Sequence, residues 1–234
     1  MRDSWRHFTA EFIGTFALVF VGGASIMTAQ LTGSTNGLLI AAMAHGLVLA
    51  VMVSALMRIS GHFNPAITLA FLAVKRIDPA MAMVYMLAQF LAAVLAAYAL
   101  RAVYPDAVSV ATHLGGQSVS PGLSNGQAIL CEAIATFFLM FVVFGTAVDP
   151  YAPNVGGFAI GLVVSADILA IGPLTGASMN PARSFGPALV SGSLVGQSVY
   201  WTGPIVGAVA AALLYDGLFL RRGKEPADHG ELRP

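Results

Sequence analysis

Six stretches of this chain are each apolar for about the length a helix needs to cross a membrane. They run at about 8–29, 37–57, 81–103, 125–147, 155–172 and 196–220. A hydrocarbon core of ~30 Å takes about 20 such residues in helical form, and the fifth stretch is marginal in length. None alternates apolar with polar residues, as a membrane-spanning strand would. Lipid offers an open backbone no hydrogen-bond partner, so every crossing is expected to be helical. Composition points the same way. Only 9% of the 234 residues are charged and 57% are of apolar type. A soluble globule of that make-up could not cover its own apolar surface, and a disordered chain would need far more charge. Eleven basic residues balance eleven acidic ones, which removes the electrostatic case for nucleic acid. The single cysteine, Cys131, excludes a disulfide framework and a cysteine-built zinc site. His7, His45, His62, His113 and His229 are scattered, so neither a metal site, a cofactor nor the nucleophile–base pair of an enzyme is expected. The chain reads as an all-α integral membrane protein, bathed in lipid.

The basic residues predict its orientation. Arg2 and Arg6 precede the first stretch, Arg58, Lys75 and Arg76 lie between the second and third, and Arg221, Arg222, Lys224 and Arg233 follow the sixth. With six crossings all nine fall on one side, so both termini are expected in the cytoplasm. Arg101 lies at the opposite end of a span and Arg183 in an apolar loop. The first stretch is too long for a signal peptide and carries Glu11, so it is read as a retained span. Residues 221–234 read as a polar cytoplasmic tail. Short loops and the lack of a cleavable presequence suit a bacterial plasma membrane.

The chain also repeats itself. Glu11-Phe12-Ile13-Gly14-Thr15-Phe16 opens the first span, and Glu132-Ala133-Ile134-Ala135-Thr136-Phe137 stands near the start of the fourth. Asn64-Pro65-Ala66 follows Glu11 by 53 residues, and Asn180-Pro181-Ala182 follows Glu132 by 48. A single transmembrane domain, 1–234, therefore holds two three-span repeats, about 8–103 and 125–220. Three crossings leave the chain on the far side, so the second repeat is inverted. The connections 58–80 and 173–195 are too apolar to be solvated. In each, Asn is a good N-cap and Pro suits the first helical position, which predicts a short helix starting at each Asn. Ten residues rise about 15 Å, half the core. Two such half-helices entering from opposite faces would meet N-terminus to N-terminus at the midplane, around a pore or a solute site.

Paired Asn-Pro-Ala loops within six spans resemble the aquaporin, or major intrinsic protein, family. The likeness extends from Glu11 to about Leu220 and includes Ile59-Ser60-Gly61-His62-Phe63-Asn64-Pro65-Ala66 and Thr175-Gly176-Ala177-Ser178-Met179-Asn180-Pro181-Ala182-Arg183-Ser184. It implies a fold of six transmembrane helices plus two re-entrant half-helices, a homotetramer with one pore per subunit, and passive passage of water and small neutral solutes. Protons and ions would be excluded. Inverted repeats with broken helices also occur in secondary transporters. A coupled carrier would carry more mid-membrane acidic residues than Asp167.

The resemblance implies roles for particular residues. Asn64 and Asn180 would cap the half-helices and offer carboxamide N–H groups to a solute between two positive dipole ends; the alternative is a pair of ordinary N-caps. Arg183, a charge that is costly at membrane depth, would line the outer constriction or tie its loop to nearby carbonyls, or both. Family spacing adds Ile168 and Ala177, a pair that resembles the filter of plant nodulin-like intrinsic proteins and suggests a pore somewhat wider than a strict water channel. The span-two member is Ala44 by spacing. It becomes His45 once the shortened Ser60-Gly61-His62-Phe63 run is allowed for, and the His45-Gly46-Leu47 match favours His45. The carbonyls of Gly61, His62 and Phe63, and of Ala177, Ser178 and Met179, would form an acceptor ladder. Glu11 and Glu132 would hold the two loops through backbone N–H groups. Asp167 has no family role: pore-lining, pairing with Arg183 or His45, and a local cap stay open, with a structural partner favoured. Gly157/Gly161 and Gly203/Gly207, with Ala92/Ala96 and Ala93/Ala97, have the spacing of close helix contacts.

Overall fold

A computed structural model describes residues 2–220. Arg221, Arg222, Lys224 and Arg233, and with them the expected tail, lie outside the described residues, as does the side chain of Arg2. Among the described residues six helices have the length and hydropathy to cross a membrane. They run over Ser4–Leu31, Gly37–Leu56, Pro79–Val103, Asn125–Val148, Gly156–Thr175 and Gln197–Phe219. In chain order the helices are α1 (Arg2–Leu31), α2 (Gly37–Leu56), α3 (Pro65–Ala73), α4 (Pro79–Val103), α5 (Asp106–Ala111), α6 (Asn125–Val143), α7 (Gly156–Thr175), α8 (Pro181–Ser191) and α9 (Gln197–Leu214). α6 and α9 each continue into one wider π turn, Phe144–Val148 and Tyr215–Phe219.

Local chemistry sets the boundaries. Asp78 caps α4 by accepting from Ala80 and Met81 N–H, with Pro79 at the first helical position. Ser124 and Gln127 close a reciprocal capping box on α6. α7 runs three residues past the predicted span, through Pro173, and stops where Gly176 turns left-handed at φ 78°. The half-helices α3 and α8 start where expected. Asn64 and Asn180 are extended N-caps, Pro65 and Pro181 follow at the first helical position, and the Asn side chains accept from the N–H of Ala66 and of Ala182 and Arg183.

Packing follows the repeat. α1 lies on α4 and α6 on α9, α2 and α7 pair across the two halves, and α3 and α8 both wedge against α4 and α9. Small residues permit the close pairs. A Cβ on Gly161 would sit 2.3 Å from the Gly46 carbonyl, and one on Gly207 would sit 2.0 Å from the Ala133 carbonyl. Ala88, Ala92, Ala93, Ala96 and Ala97 on α4 are fully buried. A Cβ on Gly186 of α8 would lie 2.4 Å from the Ala93 carbonyl. Outward faces keep Leu47, Val51, Leu95, Phe138 and Leu162 exposed, the arrangement that lipid favours over water. This is an all-α, six-span inverted-repeat fold with two re-entrant half-helices.

The connection between α4 and α6 carries structure that patterning did not predict. After α5, His113 and Leu114 are left-handed (φ 47° and 58°) and Gly115 follows at φ 73°. Leu114 is buried against Met27 and Leu100, and a Cβ on Gly115 would lie 2.4 Å from the Gly23 Cα. Burial of Leu114 offsets a backbone that costs on the order of 1–3 kcal/mol per left-handed non-glycine residue. Farther on, the Ser120 N–H donates to the Leu174 carbonyl at 2.8 Å.

Candidate functional site: a midplane junction and a constriction

The two half-helix N-termini abut through their asparagines. Asn64 Nδ2 donates to the Met179 carbonyl at 2.7 Å, and Asn180 Nδ2 donates to the Phe63 carbonyl at 2.8 Å. Each carboxamide has two N–H hydrogens, so one is committed across the junction and one is left over. The accepting residues are Phe63 and Met179, each immediately before the opposite asparagine and each left-handed, at φ 48° and 52°. Their own N–H groups donate to buried carboxylates: Phe63 to Glu11 Oε2 and Met179 to Glu132 Oε2, both at 2.7 Å. Two matched relays result. Glu11 is linked through the Phe63 backbone to Asn180, and Glu132 through the Met179 backbone to Asn64.

Each glutamate is completely buried and would be costly there without partners. Glu11 also accepts from the hydroxyl of Ser60, from His62 N–H at 2.9 Å and from Gln89 Nε2 at 2.7 Å. Glu132 also accepts from the Thr175 hydroxyl at 2.7 Å and from Ser178 N–H at 2.9 Å. Gln89 donates in addition to Thr68 Oγ1 at 3.0 Å. Sequence reasoning passed over Gln89, Ser60, Thr68 and Thr175. Gln89 was findable, because it is the one amide within the third span and a polar residue at membrane depth invites a function. A Cβ on Gly14 would overlap the Phe63 ring at 2.1 Å, so the glycine after Glu11 makes the room that the first loop needs.

One cavity touches both asparagines and runs on to Arg183. Beside Arg183 and the asparagines it is lined by His45, Ile168 and Ala177, by Gly61, His62, Phe63, Ser178 and Met179, and by aliphatic residues including Leu49, Leu139 and Val164. Ala44 is not among the lining residues. His45 Nδ1 stands 2.7 Å from the Ala41 carbonyl, which can only accept, so Nδ1 carries the hydrogen. Nε2 therefore presents a lone pair, and Arg183 Nη2 donates to it at 2.9 Å. A Cβ on Gly22 would lie 2.2 Å from that nitrogen; α1 yields the space the imidazole fills. Arg183 is buried, and its Nε and Nη1 have no hydrogen-bond partner.

Asp167 differs from two of its expected alternatives. It pairs with neither Arg183 nor His45: His45 spends both ring nitrogens on Ala41 and Arg183, and Asp167 Oδ2 is buried without a partner. Asp167 belongs to α7, one residue before the cavity-lining Ile168.

The site can be set beside known proteins. Residues 1–215 match the family model described as Major intrinsic protein. A protein named Probable aquaporin TIP3-2, from Arabidopsis thaliana, is 42% identical over 246 residues, covering 99% of this chain and 90% of the relative. Aquaporin TIP4-4 from Zea mays is 44% identical, covering 93% and 88%. Probable aquaporin AqpM from Archaeoglobus fulgidus is 42% identical, covering 91% and 96%. Among solved structures, the aquaglyceroporin from Plasmodium falciparum superposes with a TM-score of 0.77 at 25% identity, over 92% of this chain and 96% of that one. With a family model spanning nearly the whole sequence, and with half-helices joined asparagine to loop beneath a buried arginine, this multi-pass membrane chain belongs to the major intrinsic protein family.

Proposed function

We propose that the chain is a passive channel for water and small uncharged solutes, and that it excludes protons and ions. The observation that carries this reading is the junction of Asn64 and Asn180 inside a lined cavity. Two half-helix N-termini, each equivalent to roughly half a positive charge, face one point. A cation there would lose hydration and meet repulsion. The remaining carboxamide hydrogens of Asn64 and Asn180 orient a passing water by its oxygen and so interrupt a chain of proton transfers. Carbonyls of Gly61, His62 and Phe63, and of Ala177, Ser178 and Met179, replace lost hydration as acceptors. Phe63 and Met179 each spend one lone pair on an asparagine and keep a second.

Selectivity is set by Arg183, His45, Ile168 and Ala177. Arg183 shares its cavity with Ile168, whose side chain is aliphatic, and Ala177, whose side chain is short. That space suits solutes beyond water: glycerol-type polyols, urea, peroxide or undissociated metalloid acids. The names aquaporin and aquaglyceroporin among the similar proteins support this range. The chain works as one transmembrane domain, with repeats at about 8–103 and 125–220 and both termini cytoplasmic. It assembles as a homotetramer, and a bacterial plasma membrane suits its short loops.

Stopped-flow light scattering on proteoliposomes tests the reading. Water flux is expected well above that of protein-free vesicles, unsaturated and independent of any ion gradient. Ala177→Phe is expected to cut glycerol flux more than water flux. Saturable uptake driven by an ion gradient would mark a transporter instead.

A further inference from the structure

One face of α1 meets the cavity wall. Gly14, Leu18 and Gly22 stand at four-residue spacing, so they share that face. Leu18 lines the cavity itself. The two glycines instead lie against rings of residues that line it, Phe63 and His45. A Cβ on Gly22 would lie 2.2, 2.5 and 2.7 Å from Nε2, Cδ2 and Cε1 of His45. One turn beyond Leu18, the imidazole therefore takes the place that a side chain of α1 would otherwise fill. Gly22 differs in this from the glycines of the close helix pairs. Added Cβ atoms on Gly161 and Gly207 would meet backbone carbonyls of a neighbouring helix, whereas the nearest atoms to one on Gly22 all belong to a single side chain. The missing side chain serves the imidazole rather than the approach of two helices. The ring is closely held in this seat. His45 is 2% exposed, donates through Nδ1 to the Ala41 carbonyl at 2.7 Å and accepts from Arg183 Nη2 at 2.9 Å.

We propose that Gly22 is a positioning residue of the constriction, acting on solutes only through His45. The recess it leaves in α1 holds the imidazole back from the bore and within reach of Arg183, and so sets how large a neutral solute passes. A methyl group on residue 22 would occupy that recess. Overpacking of this kind is relieved first by side chains leaving their rotamers, and here the atoms in the way are those of a ring, not of a backbone. The open side of His45 is the cavity that it lines, so the ring moves into the bore. A glycerol-type polyol fills more of the cross-section than water and is hindered more.

The inference rests on the channel reading, and one experiment separates the two. Glycerol and water fluxes are measured on the same proteoliposomes for wild type, Gly22→Ala, His45→Ala and the double variant. The glycerol-to-water ratio is expected to fall about ten-fold in Gly22→Ala, within the cost of one extra methyl group in a packed site. It is expected to rise in His45→Ala, and the double variant is expected to match His45→Ala, because the added methyl group then has no ring to displace. An unchanged or raised ratio in Gly22→Ala overturns the proposal. So does a double variant whose ratio stays below that of His45→Ala, which would mark a packing role independent of the imidazole. If Gly22→Ala alone yields no folded protein, the double variant decides: folded protein with the His45→Ala ratio upholds the proposal, and failure of both overturns it. Wild-type protein that carries no water above the protein-free control would sink the channel reading itself.

Discussion

Arg183 donates through Nη2 to His45 Nε2 at 2.9 Å, and the imidazole can accept only because its other nitrogen is held as N–H by the Ala41 carbonyl. The histidine thus has no hydrogen left for a solute. It acts on the arginine, fixing one edge of the guanidinium and leaving Nε and Nη1 free. His45→Leu turns Nη2 into a third unpartnered buried donor. The guanidinium is then expected to swing, and the glycerol-to-water permeability ratio to rise about ten-fold or more, the worth of a lost bond to a charged group. Swelling assays on vesicles measure both fluxes, and an unaltered ratio would refute the role.

Asn180→Asp separates capping from charge. Aspartate caps a helix as well as asparagine does, so acceptance from Ala182 and Arg183 N–H survives. The donor to the Phe63 carbonyl disappears, and a negative charge replaces it where two half-charges of positive dipole meet. A steady cation current is expected in voltage-clamped bilayers where wild type shows none. Silence under those conditions would contradict the dipole account of ion exclusion.

The two buried glutamates are not equally replaceable by glutamine, which has a single acceptor oxygen. Each carboxylate oxygen of Glu11 serves two donors, so either rotamer of glutamine sets an amide against two of them. Glu132 serves Thr175 and Ser178 with one oxygen and Met179 with the other, so glutamine there strands one donor. At about 1–3 kcal/mol per stranded donor, Glu11→Gln is expected to lower the melting temperature in detergent more than Glu132→Gln. The opposite order would show that the loops are held by other means.

Close helix contacts give a sharper contrast. Gly207→Ala would drive a Cβ to 2.0 Å from the Ala133 carbonyl, whereas Gly126→Ala meets open space. Size-exclusion profiles in detergent are expected to show monodisperse Gly126→Ala at wild-type yield or better, and aggregated or absent Gly207→Ala. A well-behaved Gly207→Ala would mean that α6 and α9 part more easily than their packing suggests.

Features with a local cause could be read from residue order. The spans follow from uninterrupted apolar length, and the half-helices from an Asn cap followed by Pro. Gly157, Gly161, Gly203 and Gly207 do lie at helix contacts, the first two against α2 and the others against α6. What residue order hid depends on distant chain. No pattern near Asn64 announces that its donor ends on Met179, 115 residues away. Nothing in His45 tells which nitrogen holds the hydrogen until Ala41 and Arg183 are both in place. The bend at His113–Gly115 escaped because it puts left-handed backbone on residues that ordinarily avoid it. The role of Asp167 stayed open in the sequence, and pairing with Arg183 or His45 drops out only because His45 bonds Ala41 and Arg183 instead.

The exchange of hydrogen bonds between Asn64 and Met179 and between Asn180 and Phe63 has a consequence for biogenesis. As the ribosome feeds the chain into the bilayer, the earlier loop emerges with its amide seeking a carbonyl that has not yet been synthesised. Neither half of the molecule can complete the junction between the two half-helices. The aperture closes last, when the later half arrives, and a half-translated chain holds no bore through which the membrane could leak.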